Sequence, residues 1–263
     1  MKTETNTERL ILASENCHWY AQDGAPCYEV RAKNGEMRPT NLRDAKKLSL
    51  VPSVTKIIGV AAQPGLQQWK DEQLLSAALT LPMIEGEDLH SYAKRVVEDS
   101  RKQANAAAEK GTEVHAMIEK WFLGGVDIDA LPVSDQAIIN GILRVFSENE
   151  LPVLQSEWKA ETSFASPYGY GGKVDLHNDD FVVDFKTKAN WDEKTKLGYE
   201  SHAMQLAAYD IGLCNSQIYL RRINVFISTE EPGKVAVVEW DQPGRYWAMF
   251  DRLLSFWKLQ NEF

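Results

Sequence analysis

Apolar residues recur along the chain with two different spacings, which predict a helical part followed by a strand-rich part. Before residue 50, alternating positions around Tyr28 and the pair Asn34-Gly35 predict short strands joined by a turn. From about residue 66 the chain is predicted to be mostly helical, including a long polar stretch from about Glu85 to Leu123. The predicted helices cover about residues 66–79, 85–123 and 134–149.

After residue 157 the spacing changes to two. Trp158, Ala160, Thr162 and Phe164 alternate with polar neighbours, as in a strand with one buried face. The elements predicted after it are strands near 172–176 and 181–186, a helix over 202–213, strands near 223–228 and 235–240, and a helix from about 246. This order predicts an α/β fold in which helices flank a central mixed β-sheet.

Two neighbouring strands of this region carry charged residues. In the second strand the odd-numbered residues from 181 to 185 are apolar, whereas Asp184 and Lys186 share the opposite face. A two-residue loop at Asp179-Asp180 would place Asp175 of the first strand opposite Asp184, with Cβ atoms about 5 Å apart. A loop at Asn178-Asp179 would place the two residues diagonally on one face, and a three-residue loop would place them on opposite faces.

Two facing carboxylates repel each other unless one of them holds a proton or a cation bridges them. Oxygen ligands of this kind suit Mg²⁺ or Mn²⁺. With Lys186 beside the ion, the group has the components for phosphodiester hydrolysis: a Lewis acid, a water that it activates, and an amine that stabilises charge on the phosphate. From the spacing alone, a solvated strand face remains the alternative interpretation.

Four short motifs follow one another in the second half of the chain: GxxxH at Gly111–His115, GxxD at Gly172–Asp175, DxK at Asp184–Lys186 and QxxxY at Gln205–Tyr209. Their order and their predicted elements resemble the RecB-type branch of the PD-(D/E)XK nuclease superfamily. The resemblance extends from about residue 50 to the end. It implies a restriction-endonuclease-like core, a central mixed β-sheet flanked by helices, with a helical N-terminal portion.

The resemblance also implies a role for each matching residue. Asp175 and Asp184, together with His115 and the backbone carbonyl of Phe185, would bind Mg²⁺ or Mn²⁺, and Asp175, Asp184 and Lys186 would be the catalytic residues. The residues implied to line the site or to contact the substrate are Gln205, Tyr209 and, with a less defined role, Thr187.

Further residues near these motifs are candidates for the same site. Glu161 shares the polar face of its predicted strand and could point toward the carboxylates. Tyr168 and Tyr170 could stack on bases, although a bend rich in glycine and tyrosine is as often a packed loop. The basic residues that could contact phosphates, if they are not simply solvated, are Lys188, Lys194, Lys196, Arg221 and Arg222.

The resemblance implies a DNA exonuclease that acts at free or single-stranded ends in phage recombination, replication or repair, and it leaves open a recombination partner protein. The segment from Leu50 to Trp69 is similar to that of phage-encoded exonucleases of this family and of the mitochondrial genome-maintenance exonuclease. Val174 stands where the superfamily has proline, a frequent change in this branch. The cysteines that hold an iron–sulfur cluster in some members are absent, so no cluster is expected. A catalytically inactive module that binds DNA ends or a partner on the same fold is the alternative.

Composition and charge constrain this interpretation. The 263 residues, 44% of them apolar, suffice for a full core, and the predicted division is an accessory region at 1–50 and a nuclease domain at 51–263. A net charge of -9 argues weakly against DNA binding, because carboxylates that hold a cation contribute to it. Three scattered cysteines, no apolar run of membrane-spanning length and no signal-like N-terminus predict a cytoplasmic protein (in the host cytoplasm, if phage-encoded) without membrane contacts.

Overall fold

The structure, a computed structural model, describes residues 18–62, 64–214 and 220–263. Its elements in chain order are β1 (Trp19–Tyr20), β2 (Glu29–Arg31), β3 (Met37–Pro39), α1 (Leu42–Leu48), β4 (Val51–Pro52), α2 (Val54–Ile58), α3 (Pro64–Thr80), α4 (Leu89–Phe122), α5 (Val133–Glu148), β5 (Lys159–Ser166), β6 (Tyr170–His177), β7 (Phe181–Lys188), α6 (Glu200–Cys214), β8 (Arg221–Ser228), β9 (Val235–Glu239) and α7 (Pro243–Asn261). Cys17 and the N-terminal segment considered as a signal lie outside the described residues.

The central element is a five-stranded sheet with the order β5-β6-β7-β8-β9. Neighbouring strands are antiparallel except β7 and β8, which are parallel and are connected through α6. A parallel pair needs such a crossover because the chain must return to the same edge of the sheet. The predicted α/β class with a mixed sheet is confirmed.

Helices cover both faces of this sheet, and each face has its own hydrophobic cluster. Residues of α2, α6 and α7 pack on one face, and residues of α4 and α5 pack on the other. In β7, Val183 and Phe185 belong to the α4–α5 side, whereas Val182 is fully buried on the α6 side. The expectation of one apolar and one polar face is therefore wrong for the first half of β7, because α6 covers that face too.

The β6–β7 hairpin has the two-residue loop Asp179-Asp180. The backbone N–H of Asn178 donates to the Phe181 carbonyl at 3.0 Å, and the pairs Leu176–Val183 and His177–Val182 follow. The side-chain oxygen of Asn178 accepts hydrogen bonds from two backbone N–H groups of the turn, which favours this loop over a longer one. The hydrogen-bonded register ends at Leu176–Val183, and beyond it the Phe185 N–H donates to the Asp175 side chain instead of to a backbone carbonyl.

The alternation predicted for β5 breaks in the middle of the strand. Trp158 and Ala160 pack on the α4–α5 side of the sheet, whereas Phe164 packs on the α6 side. Between them Glu161 has a φ of 54°, in the left-handed region that residues other than glycine rarely adopt. This conformation interrupts the pleat, so the positions on its two sides do not share a face.

The helices predicted before the sheet are confirmed as α3, α4 and α5. In α3 only Ala77 is buried, whereas α4 reaches the core near its C-terminal end through Ile118, Trp121 and Phe122. None of the helices in the described residues is both long and apolar enough to cross a membrane. The N-terminal hairpin β2–β3 also forms, with Gly35 at a φ of 87° in its turn. The domain division at residue 50 stays a prediction.

Candidate active site

Two glycines of the motif segments are positions of close approach between elements. α4 crosses β7 so closely that a Cβ atom on Gly111 would lie 2.6 Å from Thr187 Oγ1. A Cβ atom on Gly172 would lie 2.7 Å from Cε1 of Tyr209 on α6. A side chain at either position would force the neighbouring side chain to move, and glycine avoids this. The two glycines thus explain how the GxxxH and QxxxY helices come close to the strands that carry the other two motifs.

We predict that Gly172→Ala destabilises the protein by about 1–3 kcal/mol, as overpacking of a core does. The added methyl group would clash with the buried rings of Tyr209 and Phe164, which have little space to move. Urea unfolding measures this change. Gly244→Ala is the matched control, because nothing lies within 4 Å of its Cβ position. Equal midpoints for the two variants would contradict the prediction.

Asp184 lies at the centre of a hydrogen-bond network on the α6 side of β7, and only 3% of its surface is exposed. One carboxylate oxygen accepts from Gln205 Nε2 at 2.9 Å and from Lys186 Nζ at 3.0 Å. The other lies 2.7 Å from Asn224 Nδ2 and 2.7 Å from Lys186 Nζ. Lys186 also donates to Gln205 Oε1 at 3.1 Å, and Gln205 Nε2 donates to the Tyr209 hydroxyl at 2.9 Å.

Gln205 and Tyr209 are themselves buried, at 7% and 5% exposure. This burial fits a role in lining the site better than a role in contacting the substrate. Tyr209 is connected to Asp184 through hydrogen bonds of Gln205. Thr187 and Lys188 continue β7 beyond the network and are partly exposed. They lie where the strand leaves the core.

Asn224 and Trp240 belong to the same network, and His202 lies beside it. None of the three was recognised from the sequence. Asn224 lies beside Asp184 in the parallel β7–β8 pair, and its side-chain oxygen accepts from Trp240 Nε1 at 2.8 Å. His202 lies one turn before Gln205 on α6. The spacing of His202, Gln205 and Tyr209 on one helix face was the signal that could have identified the histidine. No local motif marks Asn224, because only the sheet register brings it to Asp184.

The Asp175 carboxylate has different surroundings. Its Oδ2 accepts a hydrogen bond from the backbone N–H of Phe185 at 2.7 Å. The same oxygen lies 3.8 Å from Nδ1 of His115 on α4. Burial, and then the negative charge of Asp184, raise the pKa of Asp175 to about 7. The charge of Asp184 thus acts on Asp175, although the two carboxylates do not share hydrogen-bond donors.

We predict that Asp175→Asn stabilises the metal-free protein at high pH. The pKa of Asp175 is raised in the fold, so stability that is present below about pH 4 is lost as the pH rises to about 7. Asparagine does not ionise and keeps an acceptor for the Phe185 N–H. The advantage of the variant in unfolding free energy should grow between pH 4 and pH 7 and reach up to about 4 kcal/mol, since the pKa is raised from 3.8 to about 7 and one pKa unit corresponds to about 1.4 kcal/mol.

Urea unfolding in EDTA at several pH values measures this difference. Asp179→Asn, in the exposed turn of the same hairpin, is the control and should show no such trend. A constant difference between Asp175→Asn and the original protein from pH 4 to pH 8 would contradict the prediction.

His115 and Glu161 adjoin Asp175 on its other sides. Burial, and then the charge of Lys186, lower the pKa of His115, so its ring is neutral and can act as a metal ligand. Glu161 forms an ion pair with Lys173. Burial raises the pKa of Glu161, and the charge of Asp175 contributes in the same direction. Glu161 is therefore beside the site, as considered from the sequence, but its carboxylate is paired with Lys173.

Several of the residues considered for nucleic-acid contacts have structural roles instead. Tyr170 is fully buried and donates its hydroxyl to the Ala208 carbonyl at 2.8 Å, so it cannot stack on bases. Arg222 is buried with Asp210, and Arg221 pairs with Glu239. Both arginines lie at the start of β8, where Arg221 is the neighbour of Phe181 and Arg222 that of Val182, so they are at the opposite end of β7 from Lys186. A phosphate contact of either arginine stays a prediction. Tyr168 is 54% exposed.

The fit of a divalent metal ion rests on donor chemistry. Two carboxylates and the Phe185 carbonyl are oxygen ligands that suit Mg²⁺ and Mn²⁺. A neutral imidazole is a common metal ligand but a less usual one for Mg²⁺. The raised pKa of Asp175 indicates a buried acid whose negative charge is not fully compensated, and a cation would compensate it. Within the described ranges, however, no three His, Cys, Asp or Glu side chains form a ready metal-binding group. Asp184 would have to exchange one of its present partners for the ion.

Comparison with known proteins adds little. Searches against protein-family models and against curated proteins find no match. Among solved structures, the crystal structure of SSO0001 is similar over 46% of this chain and 55% of that chain, with 21% identity and a TM-score of 0.28. The chain thus matches about half the length of that protein. A similarity this low carries no argument about fold or function.

Proposed function

We propose that this protein is a divalent-metal-dependent deoxyribonuclease of the RecB-type PD-(D/E)XK class, which hydrolyses phosphodiester bonds at free or single-stranded DNA ends. The observation that carries the proposal is the contact between Asp184, Lys186 and Gln205, with donor–acceptor distances of 2.7 to 3.1 Å. Asp184 and Lys186 of the DxK motif and Gln205 of the QxxxY motif thereby form one polar group. Asp175 of the GxxD motif lies beside it.

The topology supports the same class. The sheet with antiparallel β5, β6 and β7, followed by the crossover through α6 to a parallel β8, agrees with the restriction-endonuclease-like core that the resemblance implies. The GxxxH helix packs on β7 through Gly111, and the QxxxY helix packs on β6 through Gly172. All four motif segments therefore adjoin one another.

Within this proposal, His115, Asp175, Asp184 and the Phe185 carbonyl would hold Mg²⁺ or Mn²⁺. Such an ion supplies Lewis-acid chemistry and activates water for attack on phosphorus. Lys186 holds its ammonium group at Asp184, where it would stabilise negative charge on the phosphate. Gln205 and Asn224 fix the Asp184 carboxylate, and the N–H of Phe185 fixes that of Asp175.

A second candidate function is a non-catalytic module that binds DNA ends or a partner protein on the same fold. One observation favours it: both oxygens of Asp184 already have protein partners, namely Lys186, Gln205 and Asn224. In that case Lys186 would be a structural counter-ion.

Labelled oligonucleotides separate the two functions. Single- and double-stranded DNA, labelled at the 5′ or the 3′ end, is incubated with the protein in Mn²⁺, in Mg²⁺ and in EDTA. The nuclease proposal expects cleavage that requires the ion, progressive shortening from one end, and no fragments from closed circular DNA. Binding without cleavage in both ions would favour the module. Addition of a recombinase tests whether a recombination partner protein changes the rate.

A further inference from the structure

His202 is a polar side chain beside the candidate site that none of the four motifs includes. It lies on α6 one turn before Gln205, on the side of the sheet that carries Asp184 and Lys186. Its ring packs against Phe226, with centroids 5.7 Å apart, and Phe226 is the neighbour of Lys186 in the parallel β7–β8 pair. Gln205 thus lies over Asp184, whereas His202 lies near Lys186, closer to the partly exposed end of β7.

The hydrogen bonding of His202 determines which nitrogen carries its proton. Nδ1 accepts from the backbone N–H of Tyr199 at 3.4 Å, and the Tyr199 ring packs against the imidazole with centroids 5.6 Å apart. In a neutral ring the proton is then on Nε2, which becomes a donor. Among the residues that the structure describes, none accepts a hydrogen bond from this Nε2.

The charges around His202 keep it neutral. Burial, followed by the positive charge of Lys186, lowers the pKa of His202 to about 4, against a smaller opposite effect of Asp184. A second cation at this position would repel the Lys186 ammonium group. A neutral donor does not, and it can still bind an anionic oxygen.

We propose that His202 is a substrate-binding residue, whose Nε2–H donates to a non-bridging oxygen of a DNA phosphate next to the one that is hydrolysed. This inference rests on the proposed nuclease function, because it presumes that the scissile phosphate lies at Lys186. This contact would stabilise the bound substrate and the transition state equally.

The test combines His202→Phe with substrates that lack one phosphate charge. Phenylalanine keeps a ring against Phe226 and Tyr199 but has no donor. We expect kcat/KM to fall by about 10- to 100-fold, the usual effect of losing a hydrogen bond to a charged group, mostly through a higher KM. A series of oligonucleotides with a single methylphosphonate identifies the contact: one position should slow the original protein and leave His202→Phe unaffected.

His202→Gln, which offers an amide donor, should recover most of the lost activity. His90→Phe, at an exposed position in the first turn of α4, is the matched control and should behave like the original protein. Binding of the same oligonucleotides in EDTA, followed by fluorescence anisotropy, gives a readout that does not require cleavage. His202→Phe should weaken this binding by a similar factor.

Two results would overturn the inference while leaving the nuclease proposal intact: full activity of His202→Phe, or an equal response of both proteins to every methylphosphonate. Absence of cleavage by the original protein in either ion would instead refute the nuclease proposal. In that case the binding measurement still decides whether His202 contacts a phosphate.

Discussion

Asp184→Asn is expected to lower the rate of DNA cleavage by at least about 1,000-fold, which corresponds to about 4 kcal/mol of activation free energy. Asparagine has nearly the same size but one anionic oxygen fewer, so it would hold a cation poorly. It would also direct an NH₂ group at one of the donors around Asp184, which are Gln205, Lys186 and Asn224. The rate is measured under single-turnover conditions with a labelled oligonucleotide in Mn²⁺.

Asp179→Asn is the matched control, because it makes the same change in the exposed turn of the same hairpin. It should cleave at the original rate. Circular dichroism and urea unfolding show whether Asp184→Asn is folded, which matters because its side chain is 3% exposed. A folded variant that cleaves within about tenfold of the original rate would exclude Asp184 as a metal ligand.

Lys186→Met should lower the cleavage rate by about 100- to 1,000-fold, the range found when one group that stabilises transition-state charge is removed. Methionine retains an unbranched side chain of similar length but cannot donate to Asp184 or to Gln205, as Lys186 does at 3.0 and 3.1 Å. The loss should appear in kcat, because the charge that Lys186 stabilises develops in the transition state.

Lys159→Met, on the exposed start of β5, is the control for the loss of one positive charge and should leave kcat unchanged. DNA binding in EDTA should change little in either variant. A similar fall in activity for both lysine variants would mean that Lys186 acts through general attraction of DNA and not at the reacting phosphate.

The local part of the site could be predicted from the sequence. The hairpin from Asp175 to Lys186 has its register set by a short loop, and the side-chain oxygen of Asn178 bonds within that loop. Its alternation of side chains follows from the strand period. The closeness of Asp175 and Asp184 could therefore be predicted from a short stretch of the chain.

The distant partners could not be predicted in this way. Asn224 reaches Asp184 through the parallel pairing of β7 with β8, and a single sequence does not contain that register. Tyr170 is fully buried whereas Tyr168 is exposed, although the two residues are of one type and close in the chain. Likewise, Arg222 pairs with the buried Asp210, whereas its neighbour Arg221 pairs with the partly exposed Glu239. These outcomes depend on which helix covers which face, and the spacing of residues along a strand does not determine that.

The left-handed backbone at Glu161 divides β5 into two halves that face different hydrophobic layers. Because the pleat reverses there, one strand of eight residues contributes to the hydrophobic layers above and below the sheet. Asp175, its neighbour on β6, stands at the boundary between the two layers. At this boundary the Asp175 carboxylate has His115 of α4 at 3.8 Å and also feels the charge of Asp184, whose carboxylate faces α6.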